Sequence, residues 1–142
     1  MKLAIVGSRS ILDPKITHQA IKLFIAQSSR QVTEIVSGGA TGVDTHAKDY
    51  ALTYEIKFTP FYPDMSLYPP KIAPLARNTQ IAAYCDEMLA VWDGHSRGTI
   101  DVMKKAHTLS KPVYIARTSA LTSNVADMSI VPLSPKEVSF LD

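Results

Sequence analysis

The chain has 142 residues, 46% of them hydrophobic and 20% charged, which is the size and composition of one ordinary domain with a buried core. A formal net charge of +2 with no run of basic residues excludes a strongly basic nucleic-acid arm and leaves electrostatics no partner to choose. The lone Cys85 excludes an internal disulfide and zinc-type cysteine spacing, and no apolar run approaches bilayer length. We therefore expect a single cytoplasmic domain over residues 1–142, in a reducing compartment and with no membrane partner.

Leu3 to Val6 is a continuous apolar run that stops abruptly at Gly7-Ser8-Arg9-Ser10. A run of that length closed by a glycine turn reads as a strand covered on both faces rather than as a leader segment. Asp13-Pro14 then opens a helix, with Asp13 as N-cap, Pro14 at the first helical position, and Ile16, Ala20, Leu23 and Phe24 at helical spacing to about Ser28. Ile35-Val36 is a second short strand. After it come Ser37-Gly38-Gly39-Ala40-Thr41-Gly42-Val43-Asp44, and a helix with Val43, Ala47, Tyr50, Ala51 and Tyr54 on one face.

A third strand is expected near Ile56 to Phe61, followed by a proline-rich stretch, Tyr62 to Pro70, that suits either a lid or an inert connection. Pro74 marks the first turn of a third helix ending around Tyr84, which puts Arg77 and Asn78 in or beside that turn. Glu87 to Trp92 is a fourth strand. Asp93-Gly94-His95-Ser96-Arg97-Gly98-Thr99 joins it to a fourth helix through about Thr108, and Val113 to Ala116 is a fifth strand. Beyond that the pattern fades apart from an edge strand at Ile130 to Leu133, so residues 117–142 are read as a C-terminal extension.

Strands alternating with helices give an α/β, Rossmann-like doubly wound fold, a mostly parallel sheet of about five strands with helices on both faces. In such a sheet ligands sit beyond the carboxyl ends of the strands, where the strand order reverses. All three polar, glycine-bearing turns fall at those ends. Bare glycine amides and a following helix N-terminus suit an anion, above all a phosphate, although a tight turn needs glycine in any case. Neither G-x-G-x-x-G nor a P-loop is present.

Taken together, Gly7-Ser8-Arg9, the segment Ser37 to Ala47, Arg77-Asn78, and Asp93-Gly94 with Ser96-Arg97-Gly98-Thr99 resemble, in order, the motifs of the SLOG superfamily. This group includes the LOG-type nucleotide phosphoribohydrolases, once called lysine decarboxylase-like, and the core domain of DNA-processing protein A. The similarity is greatest to its YspA-like branch, and Ser37 to Ala47 is particularly similar to the DNA-processing proteins. The resemblance spans about Met1 to Ala116 and implies a pocket for a nucleotide or nucleotide derivative, its phosphates on the glycine turns. The residues it brings to that pocket are Gly7, Ser8, Arg9, Ser37, Gly38, Gly39, Thr41, Gly42, Asp44, Arg77, Asn78, Asp93, Gly94, Ser96, Arg97, Gly98 and Thr99.

Arg77 matches an arginine of the phosphoribohydrolases, but where they carry a glutamate this chain has Val102, with Asp101 one position short on another side of the helix. Our first expectation is therefore a sensor or ligand-handling module that binds a nucleotide-derived ligand and has no other cofactor and no metal. The second is an enzyme acting at an N-glycosidic bond, with Arg77 orienting phosphate and Asp93 or Asp101 as the carboxylate. The third is a single-stranded nucleic-acid-binding module, which the absence of a basic stripe disfavours. A homo-oligomer is left open. His46 is expected on a solvated or packed helix face, and Trp92 in the core or the pocket wall.

Overall fold

A computed structural model describes residues 1–117 and 127–140 of the chain; within the C-terminal extension, residues 118–126 and 141–142 lie outside the described residues. The elements in order are β1 (Lys2–Gly7), α1 (Pro14–Gln27), β2 (Glu34–Gly38), α2 (Val43–Thr53), β3 (Lys57–Phe61), α3 (Ala73–Tyr84), β4 (Glu87–Val91), α4 (Arg97–Thr108), β5 (Val113–Arg117), β6 (Ser129–Pro132) and α5 (Pro135–Phe140). One six-stranded sheet runs in the order β3-β2-β1-β4-β5-β6. Its first five strands pair in parallel, and β6 pairs antiparallel with β5.

The expected doubly wound fold is thus present, with one strand more than five. Ile130 to Leu133 reads as an edge strand in the sequence, and β6 occupies that place. β2 is longer than Ile35-Val36, because Ser37 and Gly38 continue the ladder beside Pro60 and Phe61 of β3. α5 has no counterpart in the sequence reading, since six residues show too little periodicity to announce a helix.

Period-two alternation sorts the strand residues between two layers of core. Leu3, Ile5, Ile35, Leu89 and Val91 point to the side covered by α1 and α2, where they meet Ile16, Ile21, Phe24, Val43 and Tyr50. Ala4, Val6, Val36, Met88 and Ala90 point to the other side, against Ile81, Val102 and Met103 of α3 and α4. Alanines at Ala4, Ala90, Ala82 and Ala106 keep this second layer thin. At about 25 cal/mol per Å² of apolar surface, each fully buried Ile or Leu contributes about 2 kcal/mol.

Strand order reverses between β1 and β4, so the loops leaving those strands go to opposite faces and part from each other. Across that gap Gly7 pairs with Val91, and a side chain on Gly7 would collide with the Val91 carbonyl oxygen. No helix among the described residues is long and apolar enough to cross a membrane.

Candidate functional site

A cleft of about 370 Å³ opens at this reversal point. The β1–α1 loop contributes Gly7, Arg9 and Ser10; the β2–α2 turn contributes Gly38, Ala40 and Asp44; α3 contributes Pro74, Leu75, Arg77 and Asn78; the start of α4 and the loop before it contribute Asp93, Ser96, Gly98 and Thr99. Val6, Ile81 and Val102 supply buried apolar lining.

Arg77 is the most constrained cation of the site, only 8% exposed. Its Nε donates to Asn78 Oδ1 at 3.0 Å, while Asn78 Nδ2 donates to Asp101 Oδ2 at 3.0 Å and to the Gly98 carbonyl at 3.2 Å. Lys105 Nζ donates to the same Asp101 oxygen at 2.9 Å and to the Leu75 carbonyl at 2.7 Å. Asp101 therefore fixes Asn78, and Asn78 fixes Arg77. The guanidinium is carried over the β2–α2 turn, where a side chain on Gly38 would stand 2.5 Å from Arg77 Nη1 and 2.7 Å from Asp44 Oδ2.

Asp44 and Arg77 share this buried corner. Burial raises the Asp44 carboxyl above its usual range, against the Ala40 N–H that donates to Oδ2 at 3.2 Å and the positive charge of Arg77. Burial likewise lowers Arg77, against the Asp44 charge that raises it. For both groups desolvation outweighs the partner.

Asp93 is differently placed. Ser10 Oγ donates to its Oδ2 at 2.6 Å, and the His95 and Ser96 N–H groups donate to Oδ1 at 2.7 and 2.9 Å. Partial burial opposes ionisation, but these donors prevail and hold the carboxyl at about 2. Its own N–H donates to the buried Ser8 hydroxyl at 2.9 Å. Asp93 is thus an ionised brace between the β1–α1 and β4–α4 loops near neutral pH, with no proton to give there as an acid. Ser96 caps α4, its hydroxyl accepting from the Thr99 N–H at 3.4 Å.

Of the residues expected at the site, the cleft brings together Gly7, Arg9, Gly38, Asp44, Arg77, Asn78, Asp93, Ser96, Gly98 and Thr99. Ser8 and Ser37 are buried behind it, Ser37 donating to the Ile5 carbonyl at 2.6 Å. Thr41, Gly94 and Arg97 are exposed and outside the lining. Two glycines change meaning: a side chain on Gly39 would meet the Tyr62 ring, and one on Gly42, at φ 77°, would meet the backbone of Ser8 and Arg9. Both are set by packing against protein.

Asp101 does not reach the cleft as a catalytic carboxylate, because Asn78 and Lys105 occupy it at the α3–α4 contact. Val102 lines the cleft instead. Ser10, Ala40 and Ile81 line it without having been singled out; Ile81 stands one helical turn beyond Arg77 and Asn78, a spacing that could have revealed it. Of the two faces open to His46 it takes the packed one, its Nδ1 2.8 Å from the Thr17 hydroxyl. Among the described residues no group of three or more His, Cys, Asp or Glu could hold a metal ion.

The family model described as DNA recombination-mediator protein A matches residues 1–73. The chain belongs to this family. The finding agrees with the SLOG superfamily read from the motifs, and with the similarity of Ser37 to Ala47 to DNA-processing proteins in particular. The matched part carries the first two glycine turns and ends at the start of α3. The fold is also that of DNA processing protein A from Streptococcus pneumoniae, at 21% identity and TM-score 0.66 over 87% of this chain. A second similar structure is DNA processing protein A from Helicobacter pylori, solved for its single-stranded DNA binding mode, at 23% identity and TM-score 0.64 over 88% of this chain. The chain spans 53% of the pneumococcal protein and 69% of the Helicobacter one. No curated protein matches the chain.

Proposed function

We propose that this member of the DNA recombination-mediator family binds single-stranded DNA, with one backbone phosphate in the cleft beside Arg77 and Arg9. The observation that supports it is the convergence of the two family-matched turns, at Gly7 and Gly38, on a buried arginine that Asn78 orients through its Nε. A phosphate there would take charged hydrogen bonds from a guanidinium already oriented by Asn78. Few cations line the cleft, so affinity would be modest and salt-sensitive. Two phosphate-facing arginines correspond to a log–log salt slope of about −1.4 on a single strand.

A second reading, a sensor or handling module for a free nucleotide, draws on the cleft's volume of about 370 Å³, which lies within the range of small-molecule sites. Cleavage of an N-glycosidic bond has less behind it, since Asp93 already accepts three hydrogen bonds, Asp101 is held by Asn78 and Lys105, and Val102 is apolar. Fluorescence anisotropy with a labelled oligothymidine across a salt series tests the first reading. Binding in the low-salt range that weakens with salt and is lost in Arg77→Ala is the expected outcome. Tight binding of nucleoside monophosphates with none of the strand would favour the sensor, and release of free base would favour the hydrolase.

A further inference from the structure

Tyr62 is the first residue after β3, and its ring is pressed against the β2–α2 turn: a side chain on Gly39 would collide with its Cδ1 and Cε1 atoms. Tyr62 as a residue is nonetheless 60% exposed. A tyrosine placed only to fill space would be covered, whereas this one is seated on bare glycine backbone and otherwise open to solvent. Gly39 is flanked by Gly38 and Ala40, both in the cleft lining, so the ring stands at the rim of the site.

We propose that Tyr62 is a base-stacking platform, on which the nucleobase next to the cleft-bound phosphate rests its face. The inference depends on the single-strand reading above and names the part of the strand that the cleft itself does not reach. Its chemistry suits that task. Every base has a π face, so an exposed ring beside a phosphate-binding cation gives affinity without sequence preference. Tyrosine also loses little rotamer freedom when it is covered, and its hydroxyl tolerates the wet rim. Met65, Leu67 and Ile72 on the same connection are exposed as well but carry no π face, and Tyr68, 40% exposed, is not the ring that meets Gly39.

The test is anisotropy on the whole chain with two strands of equal length, an oligothymidine and an abasic oligomer, for wild type, Tyr62→Ala, Tyr62→Leu and Tyr62→Phe. Tyr62→Ala and Tyr62→Leu should weaken oligothymidine binding about five- to a hundredfold, with Tyr62→Phe within about twofold of wild type. On the abasic strand all four proteins should bind alike. Because Tyr62 is exposed, the variants should fold, and circular dichroism checks this. Unchanged affinity in Tyr62→Ala overturns the proposal, as does an equal loss on the abasic strand. So does a variant whose only change is dissociation of an oligomer, which would make the patch a contact between copies. If wild type binds neither strand, the single-strand reading falls and this inference with it. If Arg77→Ala weakens binding and Tyr62→Ala does not, only this inference falls.

Discussion

The strands β2 and β4 both run into glycine-bearing turns at the cleft, and the two turns use glycine in different ways. After β2, the space above each glycine is already occupied: by Arg77 and Asp44 at Gly38, by Tyr62 at Gly39, and by the Ser8–Arg9 backbone at Gly42. After β4, a side chain on Gly94 or Gly98 would meet nothing within 4 Å. The first turn is a junction where three other segments press onto bare backbone. The second borders open space, and its shape comes from Asp93 hydrogen bonds. A glycine-rich motif therefore marks close approach, but the approaching group is as often protein as ligand.

Substitutions at the two turns should separate these roles, with the largest effect at the packed one. Gly42→Ala combines a φ of 77° with a Cβ 2.8 Å from the Ser8 carbonyl oxygen. Strain and overpacking together should cost about 3 kcal/mol, lowering Tm by about 6–12 °C. A loss below about 1 kcal/mol in urea denaturation would break the contrast.

Arg77 comes next, because it lies against the packed turn at Gly38. Arg77→Ala should reduce oligothymidine affinity about ten- to a hundredfold, the worth of a charged hydrogen bond to phosphate. Arg77→Lys should recover little of it, since lysine lacks both the fork and the Nε donor to Asn78. Asp101 sharpens the assignment: Asp101→Asn keeps an acceptor for Asn78 and should change affinity by only about twofold, while Asp101→Ala frees Asn78 and weakens binding further. Equal, complete losses in both Asp101 variants would put its charge back at the ligand.

At the open turn the expected effects are smaller and depend on pH. The Asp93 carboxyl is held at about 2 when folded, against 3.8 for the free side chain. Its contribution to stability is thus complete above about pH 4 and is lost as pH falls through about 2. Asp93→Asn should have a shallower acid limb over that window in urea melts at stepped pH. His46 acts in the other part of the range: burial and the nearby His18 hold its pKa below 6.5, so unfolding takes up protons and stability falls as pH drops below that value. Gly98→Ala should give the smallest change, within about 0.5 kcal/mol, because Gly98 is helical and its surroundings are open. A loss of binding with unchanged stability would then place ligand in that space.

Local pattern along the chain is enough to read the layers and the end of the sheet where the cleft lies. An apolar run such as Leu3 to Val6, closed by a glycine turn, reads as a strand covered on both faces, and the helical spacing of Ile16, Ala20 and Phe24 needs no distant partner to be read. The polar turns follow from those boundaries. Helical phase even showed that Asp101 and Val102 face different ways. Which of the two lines the cleft was decided by tertiary structure, through Asn78 on α3, 23 residues away. Likewise Ser10 fastens Asp93 across 83 residues, and Tyr62 covers Gly39 from another strand's end. Periodicity reports which face a residue occupies, because that is a local property of the backbone; what the face meets depends on strand order and crossover, which are fixed only when the whole sheet assembles.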